Sequence, residues 1–536
     1  MRGVAVAPQP MAAEIGSRVL EDGGNAFDAA IAAAFAQIVF DPFMCGLGGW
    51  GSATVYDARS GVSESIGFWP TIGERMRPDI WVDDIRGFTD IWHFALFDDF
   101  RNMLGYKAIM TPGTVAGLGE LHERFCTRPW AELLQPAIEW SDRGYTVPEY
   151  VVGFLREAAI SGLPHPSRRA TATPGARALW LKEDGQMRGR GDHYANPDQA
   201  RTLERLAFNG AQDFYRGETA KMILADFGQN DAFVTRADME SYKVRRDPLT
   251  TGRYRGYDVK SSPLPGGGLL LQQMLNVLEH FDLGSMDHNA PEHAYIISAT
   301  LAWAGVTRFR HLADPRHWDV PTDHLLSMEY AGEIADCIRQ RKLPNHKALN
   351  APGYTTHLSV ADEQGNCVSM THTLTTCSGV VVPGTGTYWN DCVSLMDPIP
   401  GRPNSYVPGK ARASAVSPTI LFKDGQPYMV VGALGGWSIT SAVLQTIVNG
   451  VDFGMSPIEA VAAPRFHSEG QPAFCELRVP QSTVDALRGW GMQVEQQPFN
   501  YSPSFGKVQC IVMEDGKFRA GSDPRRDGGT AAYSLK

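Results

Sequence analysis

The sequence predicts an α+β fold, and three stretches carry that prediction. "TTHLSVADEQGNCVSMTHT", residues 355–373, alternates polar and apolar residues on both sides of a glycine-containing turn, as a β-hairpin does. "PYMVVGALGGWSITSAVLQTI", residues 427–447, runs from an apolar strand through a Gly-Gly turn into an apolar helix. "LEDGGNAFDAAIAAAFAQIVF", residues 20–40, sets a Gly-Gly-Asn turn before an alanine-rich run whose small side chains let a helix lie close against a sheet.

Composition narrows the class. With 536 residues, 43% of them hydrophobic, and 12 Trp, the chain can bury a thick core, as several domains or one large one. No run approaches the roughly 20 apolar residues that span a bilayer, and the first residues lack the pattern of a signal peptide, so a cytoplasmic chain without a membrane partner is expected. A net charge of -10 without long basic runs argues against nucleic acid as a partner. The eight cysteines contain no CxxC pair and suggest packed thiols rather than a disulfide framework or a zinc site. No metal and no cofactor are expected.

Along the chain, the helix within residues 20–40 is followed by "CGLGGWGSATVYD", Cys45 to Asp57, a glycine loop entering a strand. That loop is no phosphate cradle, because no Lys-Ser/Thr follows it and a strand comes next. Residues 162–192 have the Pro, Gly and charge content of a surface excursion. "NPDQARTLERLAFNG" reads as a helix with Asn196 as N-cap and Pro197 at its first position. "SSPLPGGGLLLQQMLNVLEHF" is a glycine turn feeding an apolar helix, and the Gly/Pro-rich segment 383–409 suits a long loop or lid.

The hairpin carries the chemistry. If Asp362 pairs with Asn366 around a three-residue loop with Gly365 left-handed, Leu358 faces Met370, Val360 faces Val368 and Thr355 faces Thr373. One face is then apolar, and the other holds Thr355, His357, Ser359, Ser369, Thr371 and Thr373. Threonine is a good strand former, so cross-strand pairs on a half-exposed sheet account for the pattern without catalysis. The preceding "ALNAPGY" adds a flexible Pro-Gly segment ending at Thr355. A Thr whose own amine became free would carry nucleophile and base on one residue, since an α-amino group titrates near 8.

The segments "LEDGGNAFDAA", "GLGGWG", "TPGTVAGL", "NPDQARTL", "TTHLSVADEQGN", "NSYVPGKARASAVSPTI", "GALGGWSI", "APRFH" and "DPRRDG" run in this order along the chain. With them the sequence resembles the γ-glutamyltranspeptidase family of N-terminal-nucleophile (Ntn) hydrolases. The resemblance implies a four-layer αββα sandwich forming one composite domain. It also implies a proenzyme that cuts itself before Thr355, into a large chain 1–354 and a small chain 355–536. The two would remain together as an α/β heterodimer acting on a small-molecule amide, with a dimer of such heterodimers left open. Carried over by position, Thr355 is the nucleophile, Thr373 supports it, and the amides of Gly435 and Gly436 form the oxyanion hole.

The substrate clamp departs from the family pattern. Where the family's large-chain Asp and Arg would fall stand Gly67 and Trp69, and the family's small-chain Asn is Thr375. The Gln and Asp of a further segment become Cys392 and Leu395, and of the paired serines Ser414 remains beside Ala415. A buried zwitterion needs a partner for each charge. The expected acyl group is therefore less charged than glutamate or charged elsewhere, as in family branches acting on oxamate or acylated β-lactams. Phe68, Trp69, Tyr388, Trp389 and Trp437 are the aromatic candidates for the altered pocket. Arg412 is the nearest cation to Ser414 in sequence, with Arg402 on the expected lid, although an Arg in such a segment is ordinarily a solvated charge. An unprocessed, inactive relative is the competing reading, as is a true γ-glutamyltransferase with an unusual clamp. Retention of Thr355, Thr373, Gly435 and Gly436 together favours an amidohydrolase.

Overall fold

The computed structural model describes residues 2–89, 94–157, 162–346, 354–526 and 531–534. Twelve strands build its two large sheets: Gly3–Val6 (β1), Trp50–Asp57 (β2), Val62–Phe68 (β3), Thr250–Tyr254 (β4), Tyr257–Ser261 (β5), Thr356–Asp362 (β6), Cys367–Thr373 (β7), Thr419–Lys423 (β8), Gln426–Leu434 (β9), Lys507–Glu514 (β10), Lys517–Ser522 (β11) and Ala531–Ser534 (β12). The first sheet has the order β12-β1-β6-β7-β2-β3 and the second β11-β10-β9-β8-β5-β4. Within each, neighbouring strands are antiparallel.

Helices cover the outer face of each sheet. Pro10–Glu21 (α1) and Ala26–Phe40 (α2) lie on the first, Gly268–Leu278 (α3) and Ser438–Val451 (α4) on the second. The result is the four-layer αββα sandwich. In α2 every residue is buried, as expected of a helix apolar all round, and Asn25 and Asp28 close a capping box at its start. Residues 197–209 are helical with the Asn196 side chain accepting from the Gln199 amide, the cap that the sequence predicts.

The hairpin has the expected register, with Leu358 opposite Met370 and Val360 opposite Val368. Gly365 has φ +90°, and the Asp362 amide donates to the Asn366 carbonyl across a three-residue loop. The half-exposed sheet does not hold, because both faces are buried. Leu358, Val360, Val368 and Met370 join α2 in one apolar cluster. The opposite face looks into the space between the sheets, apolar at the loop end through Ala361 and Cys367 and polar toward the open end. There the hydroxyls satisfy backbone of the second sheet: Ser369 donates to Val431 O (2.9 Å) and Ser359 to Gln509 O (3.1 Å). The threonine-rich seam thus welds two sheets where the interior is not oily.

Two loop expectations need correction. Residues 162–192 are not purely a surface excursion: Trp180 is fully buried against Tyr194, and buried Arg169 reaches the Thr376 hydroxyl at 3.0 Å. The segment 383–409 is not a loop lying wholly on the surface: behind exposed Pro383, Tyr388, Trp389 and Asn390 are core residues, and fully exposed residues return only at Pro400.

Candidate functional site

The site lies at the open end of the β6–β7 hairpin, where β2 begins, β9 ends and the chain enters α4. The last rung of the hairpin is Thr356–His372, and Thr355 and Thr373 are the next residues along its two arms. Thr355 is 4% exposed, and its hydroxyl donates to the carbonyl of Tyr354, the residue before it. Thr373 Oγ1 accepts from the Thr375 amide at 2.8 Å, which engages a lone pair and leaves its own proton available to donate. His357 and His372, the histidines of this hairpin, are pushed by burial to about 3 and are neutral. His357 bonds Thr371 Oγ1 (2.8 Å) and packs over Gly432, a structural place rather than that of a general base.

Gly435 and Gly436 form the turn between β9 and α4, at φ +133° and +60°, conformations suited to glycine. A Cβ on Gly435 would also lie 2.7 Å from Gly506 Cα. Among the described residues neither amide has a hydrogen-bond acceptor. Two N–H groups at the start of a helix are suited to an oxyanion. Behind this turn lies a buried ion network. Arg465 donates to Gly506 O and pairs with Asp523 at 2.6 Å, while Arg525 pairs with Glu476 at 2.7 Å. These are residues of the "APRFH" and "DPRRDG" segments, whose supporting role the sequence alone did not reveal.

One small cavity, about 30 Å³, is lined by Thr355, Tyr354, Trp50, Thr375, Arg412, Ser414, Gly436 and Trp437, with Phe94, Thr376, Leu395 and others closing it. That is room for a water molecule or two. Thr375 is on its wall, with φ +73°, a sparsely populated conformation for a β-branched residue. Its hydroxyl receives Trp50 Nε1 (3.1 Å) and Arg412 Nη1 (3.0 Å) and lies 3.2 Å from Cys392 Sγ. Cys392 is therefore behind Thr375 rather than on the wall, with its thiol pushed by burial up to about 12.

Arg412 is not a solvated charge. It is 4% exposed, its guanidinium lies 4.7 Å from the Trp50 ring centre, and its hydrogen bonds go to Thr375 Oγ1 and Ala413 O, both neutral, with the Cys392 thiol and the buried Asp391 charge as its further electrostatic neighbours. Asp391, fully buried, is held by Thr376 and lies 3.7 Å from Arg169. The neighbouring Ala411 amide is fixed by Asp314 (2.8 Å), itself in a bidentate pair with Arg245 (2.9 Å). Among the described residues lining the cavity there is no carboxylate.

Trp69 does not line this cavity. It is buried behind Trp50, ring centres 5.8 Å apart, so the aromatic wall is Trp50 of "GLGGWG" rather than the expected Trp69. Phe68, Tyr388 and Trp389 pack into the core, against Gly117, Trp180 and Phe214. Trp437 is on the wall as expected, with Arg308 stacked on it at 4.0 Å. Arg402 pairs with Asp397 (3.2 Å) on a second cavity of about 230 Å³, divided from the first by Leu395 and Trp437.

The family model for Gamma-glutamyltranspeptidase matches residues 12–533. The chain is 31% identical to a glutathione hydrolase proenzyme of Bacillus subtilis (strain 168), over 100% of this chain and 92% of that one. It is 32% identical to the Acylase ACY 1 proenzyme of Pseudomonas sp. (strain SE83), over 99% and 94%. Among solved structures, cephalosporin acylase from Bacillus halodurans superposes with a TM-score of 0.87 at 26% identity, covering 100% of this chain and 96% of that one. Helicobacter pylori gamma-glutamyltranspeptidase gives 0.57 at 30% identity, covering 63% and 92%. The chain belongs to the γ-glutamyltranspeptidase family and is an amide hydrolase or acyltransferase of the Ntn type.

Proposed function

We propose that the chain cuts itself between Tyr354 and Thr355 and then cleaves amides whose acyl group bears one carboxylate and no α-ammonium. Self-cleavage begins from the contact described above. Thr355 Oγ adds to the Tyr354 carbonyl carbon, the C–N bond breaks, and the nitrogen takes up a proton. Water hydrolyses the resulting ester, restoring the hydroxyl and leaving a Tyr354 carboxylate and a free Thr355 amine. That amine, with an ordinary pKa near 8, removes the Thr355 hydroxyl proton as the oxygen attacks a substrate carbonyl. The oxyanion meets the Gly435 and Gly436 amides, and the ammonium returns its proton to the departing amine. Water or an amine then takes the acyl group from Thr355.

The observation that carries the substrate reading is Arg412, a buried cation on the cavity wall whose hydrogen bonds go to neutral acceptors, with the buried Asp391 charge acting on it from a distance while that carboxylate bonds Thr376. A buried guanidinium that no carboxylate bonds directly is costly, and a substrate carboxylate supplies that bond. The missing wall carboxylate leaves an α-ammonium without a partner. The free amine and open cavity require that Tyr354 be released first.

The test compares kcat/KM for 4-nitroanilides of glutaric acid, butyric acid and γ-linked L-glutamate on processed protein. The glutaryl compound is expected to be the best of the three. Arg412→Met should cost it about 10- to 150-fold, as for a lost bond to a charged group, and leave the butyryl compound within about threefold. A preference for γ-glutamyl anilide would overturn the substrate reading in favour of a true γ-glutamyltransferase.

A further inference from the structure

The residue before the candidate cut is held as carefully as the residue after it. Tyr354 is half-buried, its hydroxyl donates to the Glu157 carboxylate, and its ring meets Phe154 edge-on with centres 4.7 Å apart and planes at 68°. Phe154 and Glu157 lie nearly 200 positions earlier, in and just after the short helix Glu149–Leu155. All three border a cavity of about 220 Å³ that also takes in Leu434, Lys507 and Arg526. Lys507 is opposite Leu434 in the second sheet, one residue before the Gly435-Gly436 turn.

We propose that Glu157 and Phe154 form an anchor for Tyr354 that positions the Tyr354–Thr355 bond for self-cleavage. The inference rests on the self-cleavage reading above and adds the residues that set its rate. Attack requires the Thr355 hydroxyl and the Tyr354 carbonyl carbon to be held in one geometry, and small rotations of the peptide plane separate them. The Thr355 side of that plane is fixed by β6. Nothing in the strand fixes the other side; the Tyr354 side chain does, through a directional hydrogen bond and an edge-on ring contact. An ordinary packing tyrosine needs no half-buried carboxylate bonded to its hydroxyl. Burial disfavours the Glu157 anion, while the Tyr354 hydroxyl and the positive charge of Lys507 favour it. Once the bond is cut, Tyr354 is a chain end and its anchor no longer aligns reacting atoms. Glu157 and Phe154 are therefore positioning residues for maturation and not for turnover.

The experiment follows loss of the full-length band after pulse synthesis in a cell-free translation reaction, for wild type, Tyr354→Phe, Glu157→Leu, Glu157→Gln and the double variant Tyr354→Phe/Glu157→Leu. Each of Tyr354→Phe and Glu157→Leu should slow cleavage about tenfold, the double variant about tenfold rather than a hundredfold, and Glu157→Gln, which keeps an acceptor, less than either. Glu157→Leu protein allowed to mature fully should turn over glutaryl 4-nitroanilide with wild-type kcat/KM. Wild-type cleavage rates in both single variants, multiplicative slowing in the double, or a matching loss of kcat/KM would overturn the anchor while self-cleavage stands. A wild-type chain that stays whole would overturn the self-cleavage reading and the anchor with it.

Discussion

At the residue scale the account rests on two threonines and one arginine. Thr355→Ala removes the oxygen proposed to attack, so both cleavage and turnover should vanish, read by gel and by anilide hydrolysis. Thr373→Ala removes a single orienting hydroxyl and frees the Thr375 amide, which should slow both by about 5- to 150-fold without loss of the fold. Thr375 separates two effects. Thr375→Gly relieves the left-handed backbone at φ +73° but removes the hydroxyl shared by Trp50 and Arg412, so KM for a carboxylate-bearing substrate should rise while thermal stability changes little. A drop in kcat with unchanged KM would place Thr375 in the chemistry instead. Thr355 and Thr373 were legible because alternation fixes which residues share a face. Arg412 was nearly lost, because burial of a charge is decided by segments distant in sequence: Asp314 holding Ala411, and Trp50 offering its face.

At the element scale, the Gly435-Gly436 turn is held from behind by Arg465, Asp523 and the Gly506 backbone. Gly435→Ala forces a Cβ onto Gly506 and strains φ +133°. If it moves one amide off the oxyanion, kcat should fall by about 10²- to 10³-fold. Steady-state kinetics with KM nearly constant would bear this out. The wall between the two cavities gives a second prediction. Trp437→Ala joins the small cavity to its larger neighbour, so the preferred acyl chain should lengthen by at least two carbons in a series of dicarboxylic mono-anilides; an unchanged optimum would rule out the wall. Helices and hairpin were readable here because period, caps and turn glycines are local. The burial of Trp180 and Trp389 was not, since Gly- and Pro-rich composition describes a backbone without regular hydrogen bonds and says nothing of what packs on it.

For the whole molecule, the sandwich places polar and titratable side chains in its dry interior. His293, His357, His372 and His467 are each pushed down to about 3 by burial, against about 6.5 in an unfolded chain. Above pH 6.5 neither state binds these protons, so the histidines leave stability unchanged. As pH falls from about 6.5 toward 3 the unfolded chain takes them up first, and stability should fall by about 1.4 kcal/mol per pH unit for each. Urea midpoints at pH 7 and pH 5 check this, and an equal or higher midpoint at pH 5 would contradict it. The four layers themselves followed from the family resemblance and not from composition, because the order in which sheets stack is a long-range property. The central claim is that this fold exists to present Thr355 as a new N-terminus. N-terminal sequencing of the purified mature protein tests it most directly. The account predicts two chains, the smaller beginning Thr-Thr-His-Leu-Ser at Thr355; a single intact chain, or a smaller chain beginning at any other residue, would contradict it.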